Sequence, residues 1–108
     1  MNTVRDNLMY CDLVSRNGII HKVGVCGNYF RIIDAEGIPI TPEILEKNGW
    51  WYEIEDMWLH DEVKFCIEKW NGKLQCYDIN QIKLDSANKL QHALRLCGLD
   101  ELADNFKV

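Results

Sequence analysis

The sequence contains little proline, only short apolar runs and no concentration of basic residues, and each shortage excludes a class of protein. With 2 prolines in 108 residues, the chain is neither collagen-like nor a proline-rich disordered segment. Its apolar runs, such as residues 50–52 and 57–59, fall far short of the roughly 20 residues that a membrane-spanning helix needs. We therefore expect a soluble cytoplasmic protein that does not contact a membrane.

Basic residues are outnumbered and scattered. The chain carries 17 acidic and 12 basic residues, a formal net charge of -5, and residues 50–81 hold 7 of the acidic and 3 of the basic groups. Non-specific affinity for nucleic acid comes mainly from clustered Lys and Arg side chains that neutralise phosphates. No three basic residues are clustered in this sequence. We therefore expect no direct binding to nucleic acid.

The 5 cysteines lack the spacing of a metal site. The closest two, Cys66 and Cys76, are ten positions apart, and no Cys-x-x-Cys pair occurs. Structural zinc requires ligands that a short turn can bring together. The odd number of cysteines favours reduced thiols, most of which behave as small buried hydrophobic groups. We expect neither a bound metal nor a cofactor.

A first β-hairpin is predicted where Asn17-Gly18 separates two segments with strand character, residues 10–16 and 19–25. Both turn residues accept the positive φ that a two-residue type I′ loop requires. A third alternating segment, residues 29–33, follows shortly afterwards. Three consecutive antiparallel strands would form a meander or a small barrel.

A second hairpin is predicted at Asn71-Gly72, between residues 62–70 and 73–78. A two-residue loop fixes the register, so Ile67 lies opposite Cys76. Because side chains alternate along a strand, this register defines two faces. The predicted core face consists of Val63, Phe65, Ile67, Leu74 and Cys76.

Two helices are indicated by their end signals. Thr41 is a good N-cap, Pro42 suits the first helical position, and Gly49 suits the left-handed position after a helix of about two turns. A second helix begins near Asp85 or Ser86 and runs to residue 97, before a glycine. Its helical spacing places Ala87, Leu90, Leu94 and Cys97 inside and places Asn88, Lys89, Gln91 and Arg95 mostly outside. Residues 99–106 are predicted to add a turn or short helix, with Asp100 as its cap.

These elements predict an α+β fold in one domain. A chain of this length and 47% hydrophobic content can form its own core without disulfide or metal staples. The N-terminal antiparallel meander occupies residues 1–40. Residues 41–108 supply the short helix, a second antiparallel hairpin region that residues 50–55 extend, and the C-terminal helix packed on that sheet.

The block from Pro39 to Gly49, followed by an aromatic residue, and the C-terminal helix carrying Leu90-Gln91 resemble a known family. They look like small uncharacterised proteins that are common in gut Bacteroidetes genomes and in their phages and mobile elements. This chain differs from the family pattern at Trp50, where the family has Phe, and at Asn88, where it has His. The resemblance implies a similar fold and a phage or mobile-element origin, and it implies no chemistry.

The concentration of aromatic residues is the most unusual feature of the sequence. In the predicted registers Trp51, Trp70 and Tyr77 point away from the core face. Tryptophan combines a large apolar area with a polar N–H, which suits it to anchoring a protein interface. Together with Glu53, Glu55 and Glu68, these rings would form an acidic aromatic surface for a basic or proline-rich protein partner. The alternative is that the helices or the N-terminal strands cover this face.

We favour a non-enzymatic protein-interaction module. Within binding proteins, the alternative is an acidic decoy that imitates nucleic acid. A small enzyme is a third possibility, using Cys97 or Cys66 with His92, or a metal held by His60 and Glu62. No nucleophile elbow or metal-ligand spacing marks such a site, so we assign no catalytic or metal-binding residue.

Overall fold

The computed structural model describes residues 11–23, 36–76 and 83–108. These residues form a two-stranded hairpin, a four-stranded antiparallel sheet and three helices. In chain order the elements are β1 (Leu13–Arg16), β2 (Ile19–Lys22), α1 (Pro42–Lys47), β3 (Trp51–Tyr52), β4 (Met57–His60), β5 (Val63–Trp70), β6 (Lys73–Cys76), α2 (Ala87–Leu96) and α3 (Asp100–Asp104). The predicted α+β class is confirmed, whereas no barrel closes among the described residues.

The β1–β2 hairpin has the register that its Asn-Gly turn dictates. Arg16 lies opposite Ile19, and the turn residues Asn17 and Gly18 have φ values of 52° and 79°. On the other side of β1, Ser15 pairs with residue 36 through two backbone hydrogen bonds of 2.9 and 2.7 Å. The predicted third strand, residues 29–33, lies outside the described residues.

The four-stranded sheet has the order β3-β4-β5-β6, so every strand pairs with its sequence neighbour. The second Asn-Gly turn gives the predicted β5–β6 register, with Ile67 opposite Cys76 and Trp70 opposite Lys73. Trp58 lies opposite Ile67, so one row of buried side chains crosses β4, β5 and β6. Residues 57–60 therefore form an inner strand of the sheet.

Helix α1 forms for the reasons that its sequence indicates. Thr41 Oγ1 accepts a hydrogen bond from the Ile44 backbone N–H at 3.2 Å, and proline occupies the first turn. After the helix, Gly49 adopts a φ of 87°. The helix buries Ile44 and Leu45 in the core, which stabilises an element too short to persist alone in water.

Helix α2 starts after Ser86, as predicted, but two of its polar residues are buried rather than exposed. Asn88 is 4% exposed and Gln91 is fully buried. Asn88 accepts a hydrogen bond from the Ser86 hydroxyl at 2.7 Å, and Gln91 binds backbone groups of distant segments. The prediction from helical spacing was wrong for these two residues because a polar side chain can be buried once it is hydrogen-bonded.

Helix α3 begins one residue earlier than its predicted cap, Asp100, would require. Leu99 occupies the N-cap position and Asp100 is already helical. Ala103 and Phe106 are buried in the main core, together with residues from the sheet, α1 and α2. None of the helices in the described residues is long and apolar enough to cross a bilayer.

Candidate functional site

The predicted interaction residues lie on the outer sheet face, the side of the four-stranded sheet that points away from the core. Strand alternation and register place these side chains there: Trp51, Met57, Leu59, Lys64, Cys66, Glu68, Trp70, Lys73 and Gln75. Trp51 is 39% exposed and Trp70 is 61% exposed. Both rings therefore reach solvent.

A carboxylate contacts the first of these rings, at what we call the Trp51 corner (Trp51, Glu53 and Glu55). The Trp51 indole N–H donates a hydrogen bond to Glu53 Oε2 at 3.2 Å. Glu55 follows in the turn between β3 and β4 with a φ of 52°, and both glutamates are exposed. The hydrogen bond holds the indole edge, so an incoming group would meet the ring face beside the Glu53 carboxylate.

The Trp70 corner (Trp70, Lys73, Glu68 and Gln75) has a mixed charge. Trp70 ends β5 directly opposite Lys73. Glu68 is half-buried, and Gln75 Nε2 donates to its carboxylate at 3.5 Å. A lysine therefore lies beside the Trp70 ring. Tyr77, the third aromatic residue predicted for this surface, lies outside the described residues.

The two corners are separate. Trp51 pairs with Leu59 on β4, and Met57 pairs with Glu68 on β5. Two strand spacings give about 10 Å across the sheet, and two residues along each of β4 and β5 give about 13 Å along it. The two tryptophans are thus about 16 Å apart at their backbones. Half-buried apolar side chains from β4 lie on the face between them.

His92 contacts a carboxylate rather than a thiol. Its Nε2 lies 2.7 Å from Oδ2 of Asp12, which is fully buried and also accepts a hydrogen bond from Arg95. Cys97 follows α2 and is exposed, whereas Cys66 is on the outer sheet face. The structure therefore pairs His92 with Asp12, and within the described ranges it does not bring His92 to a cysteine.

His60 has both ring nitrogens in hydrogen bonds with the backbone. Nε2 lies 2.9 Å from the carbonyl oxygen of Asn48, and Nδ1 accepts from the backbone N–H of Glu62 at 3.0 Å. This arrangement requires the ring proton on Nε2 and leaves no nitrogen for a metal. Where the structure describes the chain, no group of three His, Cys, Asp or Glu residues could hold an ion.

The polar network around the middle of α2 was not predicted from the sequence. Gln91 accepts from the Leu13 N–H at 2.8 Å and donates to the carbonyls of Cys11 at 2.8 Å and Ala103 at 2.9 Å. With Asp12 and its two partners, it joins three segments of the chain. The one sequence signal for this network was the position of Asp12, directly before the apolar pair Leu13-Val14 at the start of β1.

No family model, curated protein or solved structure matches this chain. The resemblance to small proteins of gut Bacteroidetes genomes and their phages therefore stays a prediction.

Proposed function

We propose that this protein is a non-enzymatic interaction module whose outer sheet face binds a basic segment of a partner protein. The observation that supports the proposal is the exposure of Trp51 and Trp70, at 39% and 61%, on the same face of one sheet. Tryptophan is among the residues that contribute most to binding energy when a partner buries it. A ring already in solvent becomes an anchor when the partner covers it.

The chemistry of the Trp51 corner favours a cationic side chain. Arg and Lys bind over the face of an indole ring, and this attraction strengthens when the pair is desolvated. Glu53 and Glu55 would stand beside that cation, and Glu53 already fixes the indole edge. An arginine best satisfies a flat ring and a carboxylate together, because its planar guanidinium can stack and donate at once.

The Trp70 corner favours an apolar side chain. Lys73 stands opposite Trp70, so a second cation placed here would meet a like charge. The separation of about 16 Å corresponds to roughly five residues of extended chain. The expected partner segment therefore carries a basic residue and an apolar residue about five positions apart.

The lysines on this face also favour an interaction module over an acidic decoy of nucleic acid. Lys64 and Lys73 lie on the same outer sheet face as Glu68. A regular acidic stripe would be needed to imitate a phosphate backbone, and these lysines interrupt it. A phage or mobile-element origin, which the resemblance implies, is compatible with either kind of binding protein.

The test uses the indole N–H signals of the four tryptophans in an NMR titration. The probe is a capped extended peptide with Arg and Leu five positions apart, and the control peptide has Glu in place of Arg. We expect the Arg peptide to shift the signals of Trp51 and Trp70. Trp50 and Trp58, which are 3% and 8% exposed, should not respond.

The double variant Trp51→Ala, Trp70→Ala should weaken binding of the Arg peptide by at least about tenfold. Ile19→Ala with Leu96→Ala is the matched control, because these side chains are 61% and 74% exposed on other elements. Equal binding of the Arg and Glu peptides, or equal loss in both double variants, would show that the outer sheet face does not select a basic partner.

A further inference from the structure

A cavity of about 450 Å³ lies on the other side of the sheet, between α1 and the end of the sheet where the β3–β4 and β5–β6 turns meet. Small-molecule sites occupy roughly 300–1,000 Å³ and combine apolar walls with a few polar groups. This cavity has that character. Its lining comes from well-separated stretches of the chain, so no local sequence motif identifies it.

The walls of the cavity are apolar and aromatic. Leu45 is fully buried and Trp58 is 8% exposed, while Ile40 and Leu74 are half-buried. The Tyr52 ring meets the Trp58 ring edge to face, with centroids 5.3 Å apart. Tyr52 itself is 51% exposed. An aromatic ligand could contact both rings and would cover the exposed part of Tyr52.

Two opposite charges border the cavity. Asp56 and Lys69 are neighbours, since the Lys69 backbone N–H donates to the Asp56 carbonyl at 2.9 Å. Nevertheless, within the described part of the chain, neither charged side chain forms a hydrogen bond or an ion pair. The Tyr52 hydroxyl accepts from the Asp56 N–H at 3.1 Å, which leaves its own proton for another acceptor.

The turn at Asp56 has the backbone conformation of the Asn-Gly hairpin turns but different residues. Glu55 and Asp56 have φ values of 52° and 60°, the conformation that Asn17-Gly18 and Asn71-Gly72 also adopt. Glutamate adopts this conformation at a cost of about 1 kcal/mol or more, and aspartate adopts it more readily than glutamate but less readily than glycine. The chain thus keeps a carboxylate at the cavity where glycine would make a more stable turn.

We propose that this cavity binds a small zwitterion with an aromatic body, of the kind represented by a free aromatic amino acid. The ligand ammonium binds Asp56, its carboxylate binds Lys69 and the Tyr52 hydroxyl, and its ring lies against Trp58. A ligand with one charge would leave the other border group without a partner. The site lies on the opposite side of the sheet from the outer sheet face, so it does not rest on the proposed function.

The first experiment compares three probes by NMR titration, with the Trp58 indole N–H as the reporter. L-Phenylalanine carries both charges, 3-phenylpropanoate lacks the ammonium, and 2-phenylethylamine lacks the carboxylate. We expect phenylalanine to bind about tenfold more tightly than either analogue, since each analogue loses a charge-assisted contact. An analogue that binds as tightly as phenylalanine, or a Trp58 signal that none of the probes shifts, would overturn the proposal.

Variants of the turn separate binding from folding. Asp56→Gly removes the carboxylate and relieves the backbone, so the protein should unfold at a higher temperature and bind phenylalanine about tenfold more weakly. The matched control is Glu55→Asn, which relieves the same turn at a residue that does not line the cavity and should leave binding unchanged. If Asp56→Gly binds as the unaltered protein does, the carboxylate has no role.

The cation is tested by Lys69→Met, which should abolish the preference for phenylalanine over 2-phenylethylamine. Lys64→Met is the control, because this exposed lysine lies on the same strand and points to the outer sheet face. An equal effect of the two substitutions would indicate a general charge effect and contradict the assigned site.

Discussion

At the scale of single residues, Asp12 is the most consequential side chain in the described structure. It is fully buried between His92 and Arg95, and the Arg95 side chain is itself 11% exposed. The Asp12 carboxylate can be buried here because the Arg95 guanidinium balances its charge and both of its oxygens accept hydrogen bonds. Loss of the carboxylate would leave the guanidinium without its buried partner.

We expect Asp12→Ala to lower the free energy of unfolding by about 3–5 kcal/mol, because it breaks a buried charge pair. Asp85→Ala provides the comparison. It breaks the Lys89–Asp85 pair, whose side chains are 47% and 46% exposed, and exposed pairs of this kind contribute about 0–1 kcal/mol. Urea denaturation of both variants measures the difference, and similar midpoints would contradict the structural role of Asp12.

Gly49 and Gly98 offer a second comparison between residues. Both follow a helix with positive φ, 87° and 76°. A Cβ on Gly49 would lie 2.8 Å from His60 Nε2, whereas a Cβ on Gly98 would have nothing within 4 Å. Both positions require a positive φ, but only Gly98 has room for a Cβ atom.

Gly98→Ala should therefore cost about 1 kcal/mol of stability, from backbone strain alone. Gly49→Ala should cost more, because His60 must also move away from its hydrogen bond with the Asn48 carbonyl. Thermal unfolding gives the two values. Equal values would mean that His60 shifts without cost.

At the scale of elements, Gln91 connects α2 to β1 and α3. Its amide satisfies the Leu13 N–H and the carbonyls of Cys11 and Ala103, all through buried hydrogen bonds. An apolar replacement of similar size would leave the buried Leu13 N–H and Cys11 carbonyl without partners, whereas the Ala103 carbonyl would keep its hydrogen bond from the Phe106 N–H at 3.3 Å. Each such group costs about 1–3 kcal/mol.

Gln91→Leu should accordingly destabilise the protein by about 3 kcal/mol or more and increase hydrogen exchange at the Leu13 amide. Gln75→Leu on the outer sheet face is the control, since Gln75 makes only a 3.5 Å side-chain hydrogen bond to Glu68. Unchanged exchange at Leu13 in the Gln91 variant would show that Gln91 does not protect this amide.

The elements also show which parts of the fold the sequence could predict. Asn17-Gly18 and Asn71-Gly72 determined their hairpins and registers because a two-residue loop permits one alignment. The β3–β4 turn was not predicted, since Glu55-Asp56 is not a usual type I′ pair. A type I′ turn can be recognised from two adjacent residues when they are Asn-Gly. A turn of other residues cannot be recognised in this way, because the surrounding sheet stabilises it.

At the scale of the whole molecule, the sequence predicted the α+β class. It also predicted which side chains of the second hairpin point into the core. It did not predict the burial of Gln91, the Asp12 cluster or the cavity beside Trp58. These features depend on residues about 80 positions apart, or on several segments at once. The exposure of Trp51 and Trp70 followed from alternation along the strands, and their role in binding stays a prediction.

The contacts of Gln91 and Arg95 with the start of β1 have a consequence for biosynthesis. The buried partners of Leu13 and Asp12 lie 78 and 83 residues further along the chain. During translation the first hairpin can form its turn early. The Asp12 carboxylate and the Leu13 backbone N–H, however, lack their α2 partners until α2 emerges from the ribosome. Native docking of the N-terminal strands therefore waits until α2 has been synthesised.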